Sequence, residues 1–168
     1  GQCFLDIHKV ALCSTLVAHD SATTTGEILL GRNLDFPSLS IAHAASMVIC
    51  YEPEGQRRYS GITWPGFLGL LSGMNEDGLA LAMMLVYGHK RSEHLDGQPF
   101  PLVFRRVLAE CSNVNEAVKF LETRPYCTTT NVMLADKGRH AARVQLHMKK
   151  GMVDRRSPEK PALACTNH

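Results

Sequence analysis

A chain of 168 residues with 45% hydrophobic and 20% charged side chains can bury one core of its own and has the profile of a single globular domain. Its formal charge of +2 is too small, and its Lys and Arg too scattered, to point to nucleic acid or an anionic membrane surface. The densest basic cluster, Lys149, Lys150, Arg155 and Arg156, reads as a solvated turn, and no apolar run reaches the roughly 18–20 residues of a membrane span.

The chain opens with GQCFLDIHKVAL, which has no signal-peptide pattern and begins with Gly rather than Met. Residues 1–12 therefore read as a leader or the end of a propeptide, and 13–168 as the domain. The closing PALACTNH stops within a strand-like run, which fits a processed product or an excised piece. CSTLVAH, Cys13 to His19, is β-branched and apolar and predicts a strand. DSATTTGE forms a turn, and ILLGRNLDF completes an antiparallel hairpin. SMVICYE predicts a third strand and YSGIT a short fourth. GFLGLLSGMNEDGLALAMMLV holds two apolar runs around NEDG, which predicts a hairpin of Leu68 to Gly73 with Leu79 to Val86. Gly88 to Gln98 predicts a polar loop.

Two helices follow. PLVFRRVLAEC sets Leu102, Val103, Val107 and Leu108 on one side. SNVNEAVKFLET starts at a polar cap, Ser112 or Asn113, repeats Val114, Ala117, Val118 and Leu121 at helical spacing, and stops before Pro125. TNVMLAD, AARVQLH and PALACTN return to strand patterning. Strands, then helices, then strands give an α+β class, with helices packed on antiparallel sheet.

Six cysteines, Cys3, Cys13, Cys50, Cys111, Cys127 and Cys165, show no zinc or redox spacing, and a disulfide between any two stays open. Cys50 and Cys165 sit in apolar runs and read as inert core thiols. Cys13 stands out by its company. A hairpin sets the start of one strand beside the end of its partner, where Arg32 and Asp35 lie. A guanidinium near a thiol favours the nucleophilic thiolate, and a carboxylate can hold a cationic amine. Residues three apart on a regular strand point to opposite faces, so both reach Cys13 only if the chain bends or bulges around Asn33 and Leu34. The plainer reading is a small buried thiol, with Arg32 and Asp35 in surface ion pairs. A thiol nucleophile also needs a base. His19 shares a face with Cys13 but lies roughly 20 Å along the strand. His8, His43, His89, His94, His140 and His147 fall in loops or at exposed strand positions. The other base on offer is the nucleophile's own α-amino group, with a pKa of about 8.

CSTLVA…GEILLGRNLDF resembles the start of the mature catalytic chain of the cysteine-type N-terminal-nucleophile amidohydrolases. That superfamily includes acid ceramidase, N-acylethanolamine amidase, choloylglycine hydrolase with penicillin V acylase, and the penicillin acyltransferases. The similarity runs on through YSGITWPGFLGLLSGMNEDGLALAMMLV, FRRVLAECSNVNEAVKFLETRP, TNVMLADKG and ACTNH, nearly the whole chain from Cys13. The resemblance implies a four-layer αββα sandwich, incomplete at its C-terminus, and hydrolysis of linear amide C–N bonds without a cofactor. It implies Cys13 as nucleophile and its freed α-amine as base. Arg32 and Asp35 match the R-N-x-D pair that orients them, and Asn167 matches the Asn of a T-N motif, an oxyanion-stabilising donor.

Bile salt hydrolases carry a second oxyanion Asn where this chain has Leu85, which argues against that branch and leaves the donor to backbone. A further family Arg lies beyond His168. With Leu12 still bonded to Cys13 the amine is not free, so the resemblance implies a precursor whose scissile bond is Leu12–Cys13. Cys3 has no R-N-x-D at hairpin distance and ranks below Cys13. Trp64, Phe67 and Leu68 suit an acyl pocket or ordinary core, and Leu85 joins Trp64 and Phe67 as a candidate substrate contact. The expected partners are a small-molecule N-acyl amide and either the remainder of the chain or a second copy in a homo-oligomer. Acyl transfer to an amine, and a non-catalytic binding module on the same fold, stand as alternatives. A Cys/His metal protein lacks the ligand spacing.

Overall fold

In the computed structural model, which describes residues 12–35, 43–86, 96–122, 124–147, 151–156 and 160–168, the strands form two antiparallel sheets. The smaller is built from β1 (Leu12–Asp20), β2 (Gly26–Asp35) and β10 (Ala162–Cys165), in the order β10-β1-β2. The larger runs β3 (Met47–Tyr51), β4 (Tyr59–Thr63), β5 (Ser72–Asn75), β6 (Ala80–Leu85), β7 (Thr130–Ala135), β8 (Ala141–His147) and β9 (Gly151–Arg156), each pairing with the next. Helices α1 (Phe100–Glu110) and α2 (Val114–Glu122) connect β6 to β7.

Period-2 patterning explains the smaller sheet. Cys13, Thr15 and Val17 of β1 turn inward while Leu12, Ser14 and Leu16 face out. By contrast β6 and β7 are apolar almost throughout, because both their faces are covered. On one face Leu81, Met83, Leu85, Val132 and Leu134 meet Val103, Phe104, Val107 and Leu108 of α1 and Ala117, Val118 and Leu121 of α2. On the other, Met84, Met133 and Ala135 meet Cys13, Val17 and Cys165. The layers are therefore helices, larger sheet, smaller sheet: an α+β sandwich of the expected class. Beyond the smaller sheet lie Leu12, Leu16 and Leu29, each more than half exposed.

Asp136 joins the helical layer to the sheet. Its carboxylate, 3% exposed, accepts the backbone N–H groups of Val114 at 2.9 Å and Gly138 at 2.8 Å. Asn113 caps α2 by accepting the Glu116 N–H at 3.0 Å, and the Glu116 carboxylate reaches back to the Ser112 N–H at 2.8 Å.

Three expectations need correction. Leu68–Leu71 is not strand. A turn with Gly66 at φ 80° precedes it, Leu70 and Leu71 plug the core, and the Leu70 N–H donates to the Pro101 carbonyl at the start of α1. The hairpin strand before NEDG is instead Ser72–Asn75, with Gly78 at φ 84° after the turn. Arg155 and Arg156 belong to strand β9, paired with Val144 and Arg143. A short polar edge strand has too little apolar alternation to announce itself. Cys50 is exposed, since the edge strand β3 presents it to solvent. Cys13, Cys50, Cys111, Cys127 and Cys165 are all free thiols, and Cys165 is buried as expected. Residues 1–11, with Cys3 and His8, lie outside the described residues, as do His89, His94, Lys149, Lys150 and most of the polar loop 88–98.

Candidate active site

Cys13 is the second residue of β1 and sits between the sheets, 5% exposed. The β1–β2 register places Thr15 opposite Arg32, so Arg32 enters the same inter-sheet layer one step along. Its Nη2 donates to the Met83 carbonyl of β6 at 3.0 Å and lies 3.8 Å from Cys13 Sγ. Burial pushes the Arg32 guanidinium below its ordinary range, and the Cys13 sulfur opposes that by favouring the charged form. The guanidinium keeps its proton in any case.

The third member comes from the other side of β1. Asn167 follows β10 and is 4% exposed. Because β10 pairs Cys165 with Thr15, the antiparallel count brings position 167 across from position 13. The Cys13 N–H donates to Asn167 Oδ1 at 2.6 Å, and Asn167 Nδ2 donates to the Leu85 carbonyl at 2.6 Å. One neighbour is a backbone donor and the other a backbone acceptor, which settles the orientation of the amide.

Asp35 is placed differently. β2 alternates without interruption from Gly26 to Asp35, and its register irregularity falls at Ala18/Asp20, not at Asn33 or Leu34. With no bend there, Asp35 stays on the outer face, opposite Leu12, where its carboxylate accepts the Asn33 amide at 2.9 and 3.0 Å. The structure thus gathers Cys13, Arg32 and Asn167 and sets Asp35 on the far face, next to the Leu12–Cys13 peptide. Leu12 itself is exposed and lies within the β1–β2 ladder.

Beside Arg32 an apolar groove of about 620 Å³ opens between β2 and strands β4 and β5. Ile28, Leu30 and Leu34 form one wall, with Ile62, Trp64 and Met74 across from them. Arg32 Nε and Ser72 Oγ, both from residues lining this groove, are buried without a hydrogen-bond partner among the described residues. Trp64 meets Phe67 edge-on at 6.1 Å, and both pack on the helix-side core. Leu68 is 70% exposed rather than core. Leu85 is buried; its side chain joins the helix-side core and its carbonyl serves Asn167. His19 pairs with Asp20 at 2.7 Å and His140 with Asp136 at 3.1 Å, neither being bonded to Cys13. No cluster among the described residues is arranged to hold a metal ion.

Two residues escaped the sequence reading. Asn131 of β7 is fully buried: its Nδ2 donates to the carbonyls of Thr166 at 3.1 Å and His168 at 3.0 Å. Gln145 of β8 donates to Asn131 Oδ1 at 3.1 Å. The signal was a lone amide inside the apolar strand TNVMLA, since a buried amide in such a run has to find partners.

Comparison with known proteins agrees with this architecture. Residues 22–168 match the family described as acyl-coenzyme A:6-aminopenicillanic acid acyl-transferase. The N-acylethanolamine-hydrolyzing acid amidase of Mus musculus is 27% identical over 126 residues, which cover 68% of this chain and 33% of that protein. The solved structure of a Caenorhabditis elegans ortholog of that amidase superposes with a TM-score of 0.76 at 20% identity, covering 92% of this chain and 70% of that one. Penicillin V acylase from Agrobacterium tumefaciens gives a TM-score of 0.60 at 19% identity, over 86% and 49% of the two chains. The chain spans a third or less of the length of the curated relatives it matches, 33% in the mouse case. No helix among the described residues is long and apolar enough to cross a membrane. A match over residues 22–168, on a sandwich shared with amidases and acylases, means that the chain belongs to the acyl-coenzyme A:6-aminopenicillanic acid acyl-transferase family of the N-terminal-nucleophile hydrolase superfamily.

Proposed function

We propose that this chain is a cysteine amide hydrolase that matures by cutting its own Leu12–Cys13 bond. The observation that carries the proposal is the Arg32 guanidinium 3.8 Å from a buried Cys13 sulfur whose own N–H is held by Asn167. In maturation the Cys13 sulfur attacks the Leu12 carbonyl carbon. The C–N bond breaks, the thiol proton passes to the departing nitrogen, and Leu12 is left as a thioester on Cys13. Water then hydrolyses the thioester, releasing the segment that ends at Leu12 as a carboxylate and leaving a free thiol beside the α-amine already freed by the attack.

Turnover repeats the attack on a substrate amide. The α-amine takes the thiol proton and returns it to the leaving amine, while the acyl group stays on sulfur until water removes it as an acid. Arg32 stabilises the thiolate. Asp35 loses Leu12 as its strand partner on maturation and becomes available to the new ammonium group. Asn167 takes the oxyanion-donor role, with backbone supplying the donor that Leu85 cannot. The apolar groove beside Arg32, edged by Trp64, supports an apolar acyl group, in keeping with relatives named for N-acylethanolamines and penicillin V.

The test is intact mass together with turnover. The wild-type protein is expected to yield a chain beginning at Cys13 and to release acid from fatty-acyl or phenoxyacetyl amides. Cys13→Ala is expected to do neither. A wild-type protein that turns over amides with Leu12 still attached to Cys13 would falsify the mechanism. The family's acyltransferase description favours a second outcome at the same thioester: an added primary amine captures the acyl group as a new amide in competition with water.

A further inference from the structure

We infer that Asn131 is a positioning residue for the Cys13 centre, acting through Asn167; the inference rests on the reading of Cys13 above. Pairing of β10 with β1 stops at Cys165, so the ladder does not extend to residues 166–168. What grips that segment comes from the opposite sheet. Asn131 shares the inward face of β7 with Met133 and Ala135, in register between Met84 of β6 and Gln145 of β8. Met84 and Met133, beside it on that face, are methionines, and a methionine or leucine at 131 would satisfy their packing.

The amide instead sends both its hydrogens to the two carbonyls that flank Asn167, those of Thr166 and His168. Gln145 occupies Oδ1 and thereby fixes which way those hydrogens point. With the backbone pinned on either side, the Asn167 side chain has one place to go, between the Cys13 N–H and the Leu85 carbonyl. The nitrogen it holds is the leaving nitrogen of maturation and afterwards the base, so a shift of about 1 Å there costs on the order of 10²-fold in rate. The arrangement is a relay from β8 through β7 to the segment after β10, ending on the reacting residue.

The first measurement reads position without needing activity. In a Cys13→Ala background, hydrogen exchange at the amide of position 13 is expected to speed up at least tenfold with Asn131→Leu, to the level reached with Asn167→Ala. Amides of the β6–β7–β8 ladders are expected to keep their native protection. The second reads function in the intact protein. Asn131→Leu is expected to slow release of residues 1–12 and to lower kcat by 10- to 100-fold, with KM within about twofold. Combined with Asn167→Ala it is expected to add no further loss, because both act on one contact.

Unchanged exchange at position 13, exchange that rises across the whole sheet, or losses that multiply in the double variant would each overturn the inference. If Asn131→Leu fails to fold, Gln145→Met tests the same relay by freeing the Asn131 amide, with the same direction expected in both measurements. If the wild-type protein neither matures nor turns over amides, the reading of Cys13 fails, and the exchange result still decides the placement of Asn167.

Discussion

The Arg32 guanidinium is half-buried next to a thiol and bonded to one backbone carbonyl, and that combination defines what its replacement does. A methionine fills similar space without charge, so Arg32→Met is expected to keep the fold while slowing both maturation and turnover by roughly 10²-fold, the scale of one lost electrostatic contact in a water-poor site. Lysine restores a charge but not the planar fork, so Arg32→Lys is expected to recover only part of the rate. Time courses by intact mass separate the three proteins. Cys111 offers a test of a different kind. Burial raises its thiol from the ordinary 9.0 to about 11, with Glu116 and Glu110 adding to the shift. Between those values the unfolded chain has lost the proton and the folded chain still holds it. The contribution to stability is therefore whole below pH 9 and disappears as pH climbs toward 11. Urea midpoints taken at pH 8 and pH 10.5 are expected to drop less for Cys111→Ala than for wild type.

At the level of elements, the β7–β8 turn and the start of α2 are one unit through Asp136. Asp136→Ala strands the Val114 and Gly138 N–H groups, with an expected cost of about 1–3 kcal/mol. For a chain of this length that corresponds to roughly 2–4 °C of melting temperature per kcal/mol. Calorimetry checks it, and maturation measured well below the transition is expected to be unchanged, since Asp136 makes no bond to Cys13, Arg32 or Asn167 in the structure. Elements with strong periodicity were legible from sequence. Tyr59–Thr63, Ala141–His147 and the two helices follow the expected bounds to within a residue or two, and in Ala141–His147 and the helices one face is apolar at the right period. Leu68–Leu71 misled for a physical reason: the apolar side chains of Leu70 and Leu71 are needed to plug the core beneath α1 rather than to line one face of a strand. Cys13, Arg32 and Asn167 were legible by resemblance, and hairpin logic alone supported only the first two. The outward placement of Asp35 follows from strand parity once the register is unbroken. Asn131 and Gln145 were not readable as a pair, since their meaning depends on which strand lies across the gap.

Over the whole molecule, the helix layer seats closely on the larger sheet at Gly73. A Cβ added to Gly73 would stand 2.5 Å from the Ser60 carbonyl oxygen and 2.9 Å from Leu108 Cδ1. The smaller sheet sits on the other face, with Cys13 buried where the two β-layers meet. The bond from the Cys13 N–H to Asn167 spans 154 positions of sequence. Chains grow from the ribosome at about 5–20 residues per second, so the thiol is made many seconds before the amide that grips its nitrogen. A nascent chain with strands one to nine already in place still lacks that grip. Under the proposed chemistry the sulfur is thereby slowed during synthesis, and the closing of β1 against β10 becomes the event that starts the clock.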